Sequence, residues 1–130
     1  MVKIIFCLRR QAHLSPQAFQ DYWRMQHGPK VVERARMLGI RRYVQSHTLF
    51  DPRLGGLAAQ RGTLEAPFDG VAELWFDAEE VLHPHADVPP AIAQAGLDLL
   101  DDERTFIDLA RSPIFVVREH EILAPTPHTS

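Results

Sequence analysis

Apolar positions in the first part of the chain change from a strand-like run to helical spacing. Residues 2–9 are mostly β-branched, aromatic or otherwise apolar, which predicts a first strand. Ser15-Pro16 predicts a helix start, because serine is a favoured N-cap and proline is tolerated in the first turn. Gly28-Pro29 predicts the end of this helix, and a second helical piece reaches Gly39. The apolar stripe of the first helix comprises Phe19, Tyr22 and Trp23.

Further patterned segments complete the order of elements. Residues 40–50 predict strand two, and residues 68–76 predict strand three, entered through an Asp-Gly turn signal. Residues 89–109 predict helix in two pieces, and the acidic run 101–103 would start the second piece, where negative charge suits a helix N-terminus. Residues 114–123 predict strand four. The order β-α-β-β-α-β predicts an α+β, ferredoxin-like sandwich with an antiparallel sheet.

Two segments lack this patterning. Residues 51–67 contain three glycines and no periodicity, and so long an unpatterned stretch in a small domain predicts an inserted mobile loop. Residues 124–130 hold two prolines among polar residues and predict a disordered tail. The predicted domain therefore spans residues 1–123 with one insertion.

Strands one and four are apolar on both faces, unlike a sheet that exposes one face to water. One layer of helices can cover only one of these faces. The second face needs another cover, and no spare amphipathic helix remains in the chain. We therefore expect a homodimer in which two copies of the sheet face each other. The apolar positions are Ile4, Ile5, Phe6, Cys7 and Leu8, followed by Ile114, Phe115, Val116 and Val117.

Charge and composition narrow the class of partner. A formal net charge of -3 disfavours nucleic acid, which would require a basic face. No stretch approaches the roughly 18 apolar residues of a membrane helix, so no membrane partner is expected. The single cysteine, Cys7, excludes an internal disulfide and suits a reducing compartment. With no apolar segment long enough for a signal peptide, these features favour a cytoplasmic location.

Three strings of residues occur together in an order that resembles the EthD family. They are Tyr22-Trp23 with His27-Gly28-Pro29, then 42–47 (RYVQSH), then 69–76 (DGVAELWF). That family is named for ethyl tert-butyl ether degradation and belongs to the dimeric α+β barrel superfamily. The resemblance implies a dimeric barrel, a role in breaking down small organic compounds such as xenobiotics, and a possible oxidoreductase activity. It does not imply a particular mechanism, because relatives in the superfamily carry out different chemistries.

The sequence contains few patterns of known catalytic or metal chemistry. His83 and His85 form the only close pair among the seven histidines, and a third ligand at fixed spacing is missing. A solvated loop is the favoured interpretation of this pair. We also find no nucleophile elbow, phosphate loop or dinucleotide fingerprint. No metal and no cofactor are therefore expected.

Aromatic and polar residues instead form a candidate ligand pocket. Trp23 and His27 lie four apart on one helical face, in the last turn before the predicted break. Glu73 interrupts an apolar strand, and a buried carboxylate requires a partner, for which His27 or His47 could serve. The candidate catalytic residues are His27 and Glu73. The candidate substrate-binding residues are Tyr22, Trp23, Tyr43, Gln45, His47 and Trp75.

The leading hypothesis is a cofactor-independent enzyme that acts on a small apolar or aromatic compound, by proton transfer or by substrate-led reaction with oxygen. His27 would be the acid or base, since a helix end favours its charged form and apolar surroundings favour its neutral form. The rival hypothesis is a non-catalytic accessory protein that binds a substrate for a separate oxygenase. Each residue also has a purely structural interpretation: His27 as a helix cap, Tyr43 as packing, and Glu73 as one half of an ion pair.

Overall fold

The computed structural model describes residues 1–83 and 87–128. One antiparallel sheet has the strand order β2-β3-β1-β4. The strands are β1 (Val2–Leu8), β2 (Arg42–His47), β3 (Gly70–Phe76) and β4 (Ile114–Val117). The helices are α1 (Pro16–Tyr22), a π-helical turn (Trp23–His27), α2 (Gly28–Leu38), α3 (Gly56–Gln60) and α4 (Pro90–Phe106). Short 3-10 turns cover Pro52–Leu54, Glu79–Leu82 and Leu109–Arg111. The predicted ferredoxin-like α+β order is confirmed.

Strand register decides which side chains face the helices. Ile4 of β1 lies opposite Leu74 of β3 and Val116 of β4, so alternate residues of the three strands share the helix-facing side. The core between this side and the helices consists of Phe6, Leu8, Phe19, Trp23, Ala72, Phe106 and Ile107. The opposite side of the sheet is called the open face below. Trp75 is buried there beneath Lys3, Arg42 and Glu119, whereas Phe115 on the same face is about half exposed.

Gly70 shows how closely the first helical segment approaches the sheet. A Cβ atom at this position would lie 2.4 Å from Cζ3 of Trp23 and 2.8 Å from the carbonyl oxygen of Ser46. No side chain fits at such distances. The glycine of the Asp69-Gly70 turn signal is therefore required because the indole ring packs directly on the strand.

The first helical segment does not break at Gly28-Pro29. Residues 16–38 remain helical, and a π turn joins α1 to α2, with the Gly28 N–H donating to the carbonyl oxygen of Trp23. A proline inside a regular α-helix would clash with the carbonyl four residues before it, and a wider turn relieves that clash. His27 therefore lies inside a long helical segment, so the helix-end effect expected at this residue is absent.

The long helix α4 is one uninterrupted helix, and the acidic run 101–103 lies within it. Its buried residues are Ala95, Leu99, Asp102 and Phe106, spaced four, three and four apart as on one helix face. The expected second helix start in water was wrong. Asp102 points into the protein because it occupies a position on the apolar stripe.

Several predicted boundaries also change. Strand four ends at Val117 and strand two covers only Arg42–His47. Residues 51–67, expected without structure, contain a 3-10 turn and α3, although their side chains are almost all exposed. The tail was predicted over 124–130: residues 124–128 have no regular secondary structure, and 129–130 lie outside the described residues. Among the described residues, no helix combines the length and apolar character needed to cross a membrane.

Candidate active site around His27

The centre of the candidate site is a histidine paired with an aspartate from another helix. His27 lies in the π turn, is only 5% exposed, and packs its ring 5.0 Å from the ring of Phe106. Its Nδ1 atom lies 2.7 Å from Oδ2 of Asp102 on α4. The π turn and α4 pack against each other, which holds the two side chains in this geometry. The sequence separates them by 75 positions.

Asp102 is surrounded by donors. The hydroxyl of Tyr22 donates to Oδ1 at 2.5 Å, and Nζ of Lys30 donates to the same oxygen at 2.9 Å. Burial raises the pKa of Asp102, but the hydrogen bonds from Tyr22, Lys30 and His27 together outweigh burial and leave the pKa below its usual value. The carboxylate is therefore ionised at neutral pH, and Lys30 balances its charge.

The protonation of His27 follows from these surroundings. Burial lowers its pKa and outweighs the hydrogen bond and charge of Asp102, while the positive charge of Lys30 lowers it further. The imidazole is therefore neutral at pH 7. Because Asp102 accepts a hydrogen bond at Nδ1, the single ring proton lies there, and Nε2 keeps its lone pair. A neutral imidazole held in this tautomer has the protonation state that a general base requires.

His27, the histidine of the His27–Asp102 dyad, lines a small internal cavity of about 50 Å³. This inner cavity is apolar apart from His27, Tyr43 and Glu103. Burial raises the pKa of Glu103 to about 7, the negative charge of Asp102 adds to the shift, and Arg104 opposes it. A space of this size holds one or two water molecules and no complete substrate.

A larger groove of about 970 Å³ opens between the helical segment and the edge strand β2. Its strand side carries Tyr43, Gln45 and His47, which form a chain of hydrogen bonds. Nε2 of Gln45 donates to the Trp23 carbonyl oxygen at 2.9 Å and to the Tyr43 hydroxyl at 2.7 Å. Oε1 of Gln45 lies 2.8 Å from Nε2 of His47, whose ring stacks on Trp23 at 4.4 Å. The helix side of the outer groove consists of Arg24, Gly28, Pro29, Val32 and Glu33.

Tyr43 lies between the two spaces, because it lines both the inner cavity and the outer groove. Burial raises the pKa of its hydroxyl, although hydrogen bonds with Gln45 and Trp23 act in the opposite direction. The hydroxyl therefore stays protonated. Since Gln45 donates to its oxygen, the hydroxyl can donate its own hydrogen to a ligand or to water.

Gly28 sets the distance between the helix and this strand. A Cβ atom there would lie 3.3 Å from Nε2 of Gln45, tighter than an ordinary contact. The glycine therefore lets the π turn approach β2 closely enough for the Gln45 amide to reach the Trp23 carbonyl oxygen. The sequence His27-Gly28-Pro29 thus combines the candidate base, a close-contact position and the residue that favours the wide turn.

Most of the predicted site residues lie together. His27 and Trp23 line the inner cavity, Tyr43 lines both spaces, and Gln45 and His47 line the outer groove. Tyr22 takes part indirectly, because its hydroxyl binds Asp102. His83 is exposed, and its neighbour His85 lies outside the described residues. Within residues 1–83 and 87–128, no group of three or more His, Cys, Asp or Glu side chains is placed to hold a metal ion.

Glu73 and Trp75 do not belong to this site. Both lie on the open face of the sheet, where Nζ of Lys3 donates to Glu73 and the indole N–H of Trp75 donates to Glu119. Because side chains alternate along a strand, a residue opposite Val44 cannot share the face of its neighbours Tyr43 and Gln45. The expected pairing of Glu73 with His27 or His47 was therefore wrong, and Lys3 is its partner.

Three contributing residues were missed from sequence: Lys30, Asp102 and Glu103. A signal was present for the two acids, since Asp102 lies three residues after Leu99 and four before Phe106, and Glu103 lies four after Leu99. An acid on the apolar stripe of a helix requires a buried partner. Lys30 offered no comparable signal in the sequence, because its hydrogen bond to Asp102 joins two different helices and forms only in the folded protein.

Fold and site together define an α+β protein of ferredoxin-like topology with a buried histidine–carboxylate pair beside a ligand-sized groove. The EthD domain model matches residues 11–110. The chain therefore belongs to the EthD family, which confirms the resemblance seen in its sequence.

Solved structures show the same fold. An ethyl tert-butyl ether degradation (EthD) family protein from Bacillus halodurans has a TM-score of 0.58 and 21% identity, over 92% of this chain and 99% of that one. The Arabidopsis thaliana protein At3g17210 has a TM-score of 0.52 and 12% identity, over 95% of this chain and 100% of that one. A Deinococcus radiodurans protein, named as a candidate antibiotic biosynthesis monooxygenase, has a TM-score of 0.50 and 16% identity, over 98% and 100% of the two chains. A search of curated proteins returned no match.

Proposed function

We propose that this EthD protein is a cofactor-independent acid–base enzyme that acts on a small, largely apolar or aromatic organic compound. The observation that carries the proposal is the His27–Asp102 pair, in which a buried carboxylate holds Nδ1 and leaves Nε2 free as a base. Proton removal starts simple isomerisations. It also starts substrate-led reaction with oxygen, in which the deprotonated substrate is the reductant and oxygen the co-reactant. His27 serves either reaction.

The substrate binds in the outer groove. Apolar and aromatic surfaces hold its body, and Gln45, Tyr43 and His47 orient it through polar atoms on β2. Only a small reactive end reaches His27, because the inner cavity has a volume of about 50 Å³. Tyr43 lies between the two spaces and contacts the substrate where it enters.

A second candidate function is ligand binding without catalysis, as an accessory to a separate oxygenase. The observation in its favour is that the outer groove, with a volume of about 970 Å³, is large enough for a whole ligand and is not itself lined by His27. The two functions differ in whether a bound compound exchanges a proton with the buried histidine.

Exchange of carbon-bound hydrogen for deuterium distinguishes the two functions. The probe is 2-tetralone, an aromatic ketone with acidic hydrogens beside its carbonyl, followed by proton NMR in D₂O. We expect the wild-type protein to accelerate exchange above the buffer rate. His27→Gln should reduce that acceleration by about a hundredfold or more, the lower end of the range for loss of a general base. Glutamine is preferred to alanine because its amide still donates to Asp102. Binding of the probe without exchange in the wild type contradicts the enzyme and favours the accessory function.

The proposal includes a homodimer formed through the open face of the sheet. That face carries Ile5, Val44, Val71, Phe115 and Val117 around the Lys3–Glu73 ion pair. Phe115 is 48% exposed in the single chain, an unfavourable position for an aromatic ring on a strand. A copy of the same face provides apolar cover of matching shape.

A further inference from the structure

Glu103 is the second titratable acid–base group that lines the inner cavity, on the helix that also supplies Asp102. Most of the cavity wall is apolar, formed by side chains such as Phe6, Leu8 and Leu74. A carboxylate in apolar surroundings loses the solvation that stabilises its charge. The polar groups lining the space with Glu103 are the imidazole of His27 and the hydroxyl of Tyr43.

We propose that Glu103 is the general acid of the site, that it shares the inner cavity with the general base His27, and that the protein relocates a proton within a carbonyl compound. This inference rests on the proposed function of His27 and specifies its reaction class. The catalytic pair consists of a base and an acid that line one cavity, so the reactive end of a substrate contacts both.

The charges around Glu103 support this division of roles. On α4, the charge of Asp102 disfavours ionisation of Glu103 and Arg104 favours it. From β2, Tyr43 faces it as a protonated hydroxyl, and from the helical segment His27 faces the cavity as a neutral ring. The charge of Lys30 is taken up by Asp102. Burial keeps the Glu103 carboxyl protonated into the neutral range, where its pKa is about 7, while His27 is already deprotonated. When their environments move the pKa values of two titratable groups apart in this way, one group is suited to be the acid and the other to be the base.

The reaction balances without a further reactant. The substrate is a carbonyl compound with a carbon–carbon double bond one carbon away from the carbonyl. Nε2 of His27 takes a proton from the carbon between these two groups, and the electrons of that C–H bond form a new double bond to the carbonyl carbon. The electrons of the carbonyl double bond move to its oxygen, which takes the proton of the Glu103 carboxyl, so that a conjugated dienol results. The enol then returns its hydroxyl proton to the Glu103 carboxylate. The imidazolium of His27 delivers its proton to carbon at the other end of the conjugated system. The product is an isomer of the substrate, and both residues regain their starting states.

The test compares deuterium exchange into 2-tetralone by Glu103→Gln, Glu103→Asp and wild-type protein from pH 5.5 to 9, a range set by the Glu103 pKa of about 7. Near pH 6, the exchange rate of Glu103→Gln is expected to be lower than that of the wild type by about a hundredfold or more, the size typical of a missing general acid. The wild-type rate should fall as pH rises through the ionisation of Glu103, and this fall should be absent in Glu103→Gln. Glu103→Asp keeps an acid on a shorter side chain and should retain part of the rate.

Glu65→Gln is the matched control, because it makes the same chemical change at an exposed glutamate in the inserted segment, outside both cavity linings. It should behave as the wild type. If His27→Gln abolishes exchange while Glu103→Gln keeps the wild-type rate and pH profile, the role of Glu103 is refuted and that of His27 stands. If the wild type itself gives no exchange, the proposed function is refuted and this inference with it.

A carbon-13 NMR titration of the Glu103 side chain gives a readout that requires no ligand. An ionisation near pH 7 supports the acid, as the burial of the carboxyl implies. An ionisation at the ordinary glutamate value of 4.5 overturns the role of Glu103, whatever the exchange experiment shows.

Discussion

At the scale of single residues, the protonation states in the site depend on how the negative charge of Asp102 is balanced. Asp102 is ionised because three donors surround one carboxylate, and Lys30 among them compensates its charge. Burial is the main cause that lowers the pKa of His27, and the positive charge of Lys30 acts in the same direction, against the charge of Asp102. The amine therefore helps to keep His27 available as a base, although the amine itself is part-exposed at the surface.

Glu103 should make stability depend on pH. Its folded pKa is raised from 4.5 to about 7, so the folded state binds a proton more tightly than the unfolded chain. Stability therefore falls as pH rises from about 4.5 to 7 and stays reduced above that range. Glutamine stays neutral, so Glu103→Gln should match the wild type at pH 5 and exceed it by about 1–3 kcal/mol at pH 8.

Urea unfolding of both proteins at the two pH values measures this difference. Glu65→Gln serves again as control, since a substitution of this exposed side chain should give no pH-dependent gain in stability. A Glu103→Gln protein that is less stable than the wild type at pH 8 would show that the carboxylate is paired rather than strained by burial.

At the scale of elements, the inserted segment 51–67 differs from the strands β2 and β3 that it connects, because its side chains are exposed to solvent. Residues 52–67 are exposed throughout, yet two hydrogen bonds from the Arg9 guanidinium hold the carbonyl oxygens of Ala66 and Pro67. The segment is thus fastened near its end and exposes its short helix α3 to solvent. This arrangement allows local opening without disturbance of the core.

Limited trypsin digestion should therefore cut first after Arg53 or Arg61, which lie in this segment. The two fragments should stay associated, because β2 and β3 pair along their whole length. The variant Arg53→Gln/Arg61→Gln should remove the early cut and leave the remaining pattern unchanged. Digestion that begins in the strands, or that cuts segment 51–67 as slowly as it cuts the strands, would contradict the expected mobility.

At the scale of the whole molecule, the open face of the sheet should make the protein a dimer. Light scattering after size exclusion is expected to give about twice the 14.8 kDa chain mass at micromolar concentration. Phe115→Glu places a charge opposite Ile5 on this face and should shift the protein to monomer, because burial of an unpaired charge is costly.

Leu57→Glu is the matched control for this experiment. Leu57 is 71% exposed, but it lies on α3, away from the sheet. It should leave the dimer intact. A folded wild-type monomer at these concentrations would mean that another molecule, or none, covers the open face.

The sequence by itself determined the order of the elements and the dominant apolar stripes. Strand and helix periods depend only on local geometry, so residues 2–9 and the stripe through Phe19 and Trp23 could be recognised without a partner. His27, Tyr43, Gln45 and His47 were identified for a related reason. They interrupt or border apolar runs at spacings that place them on predictable faces.

Only the tertiary structure decided which face of each strand meets the helices and which side chains complete the dyad. Alternation along the strand places Glu73 on the other face of the sheet from its neighbours Ala72 and Leu74. It does not show which of the two faces meets the helices, so Glu73 was assigned to the wrong face. The pairing of His27 with Asp102 joins residues 75 positions apart, and its electrostatics depend on burial that no local pattern specifies. The apolar stripe of a helix predicts that Asp102 is buried. Only the packing of α4 on the π turn shows which side chains surround it.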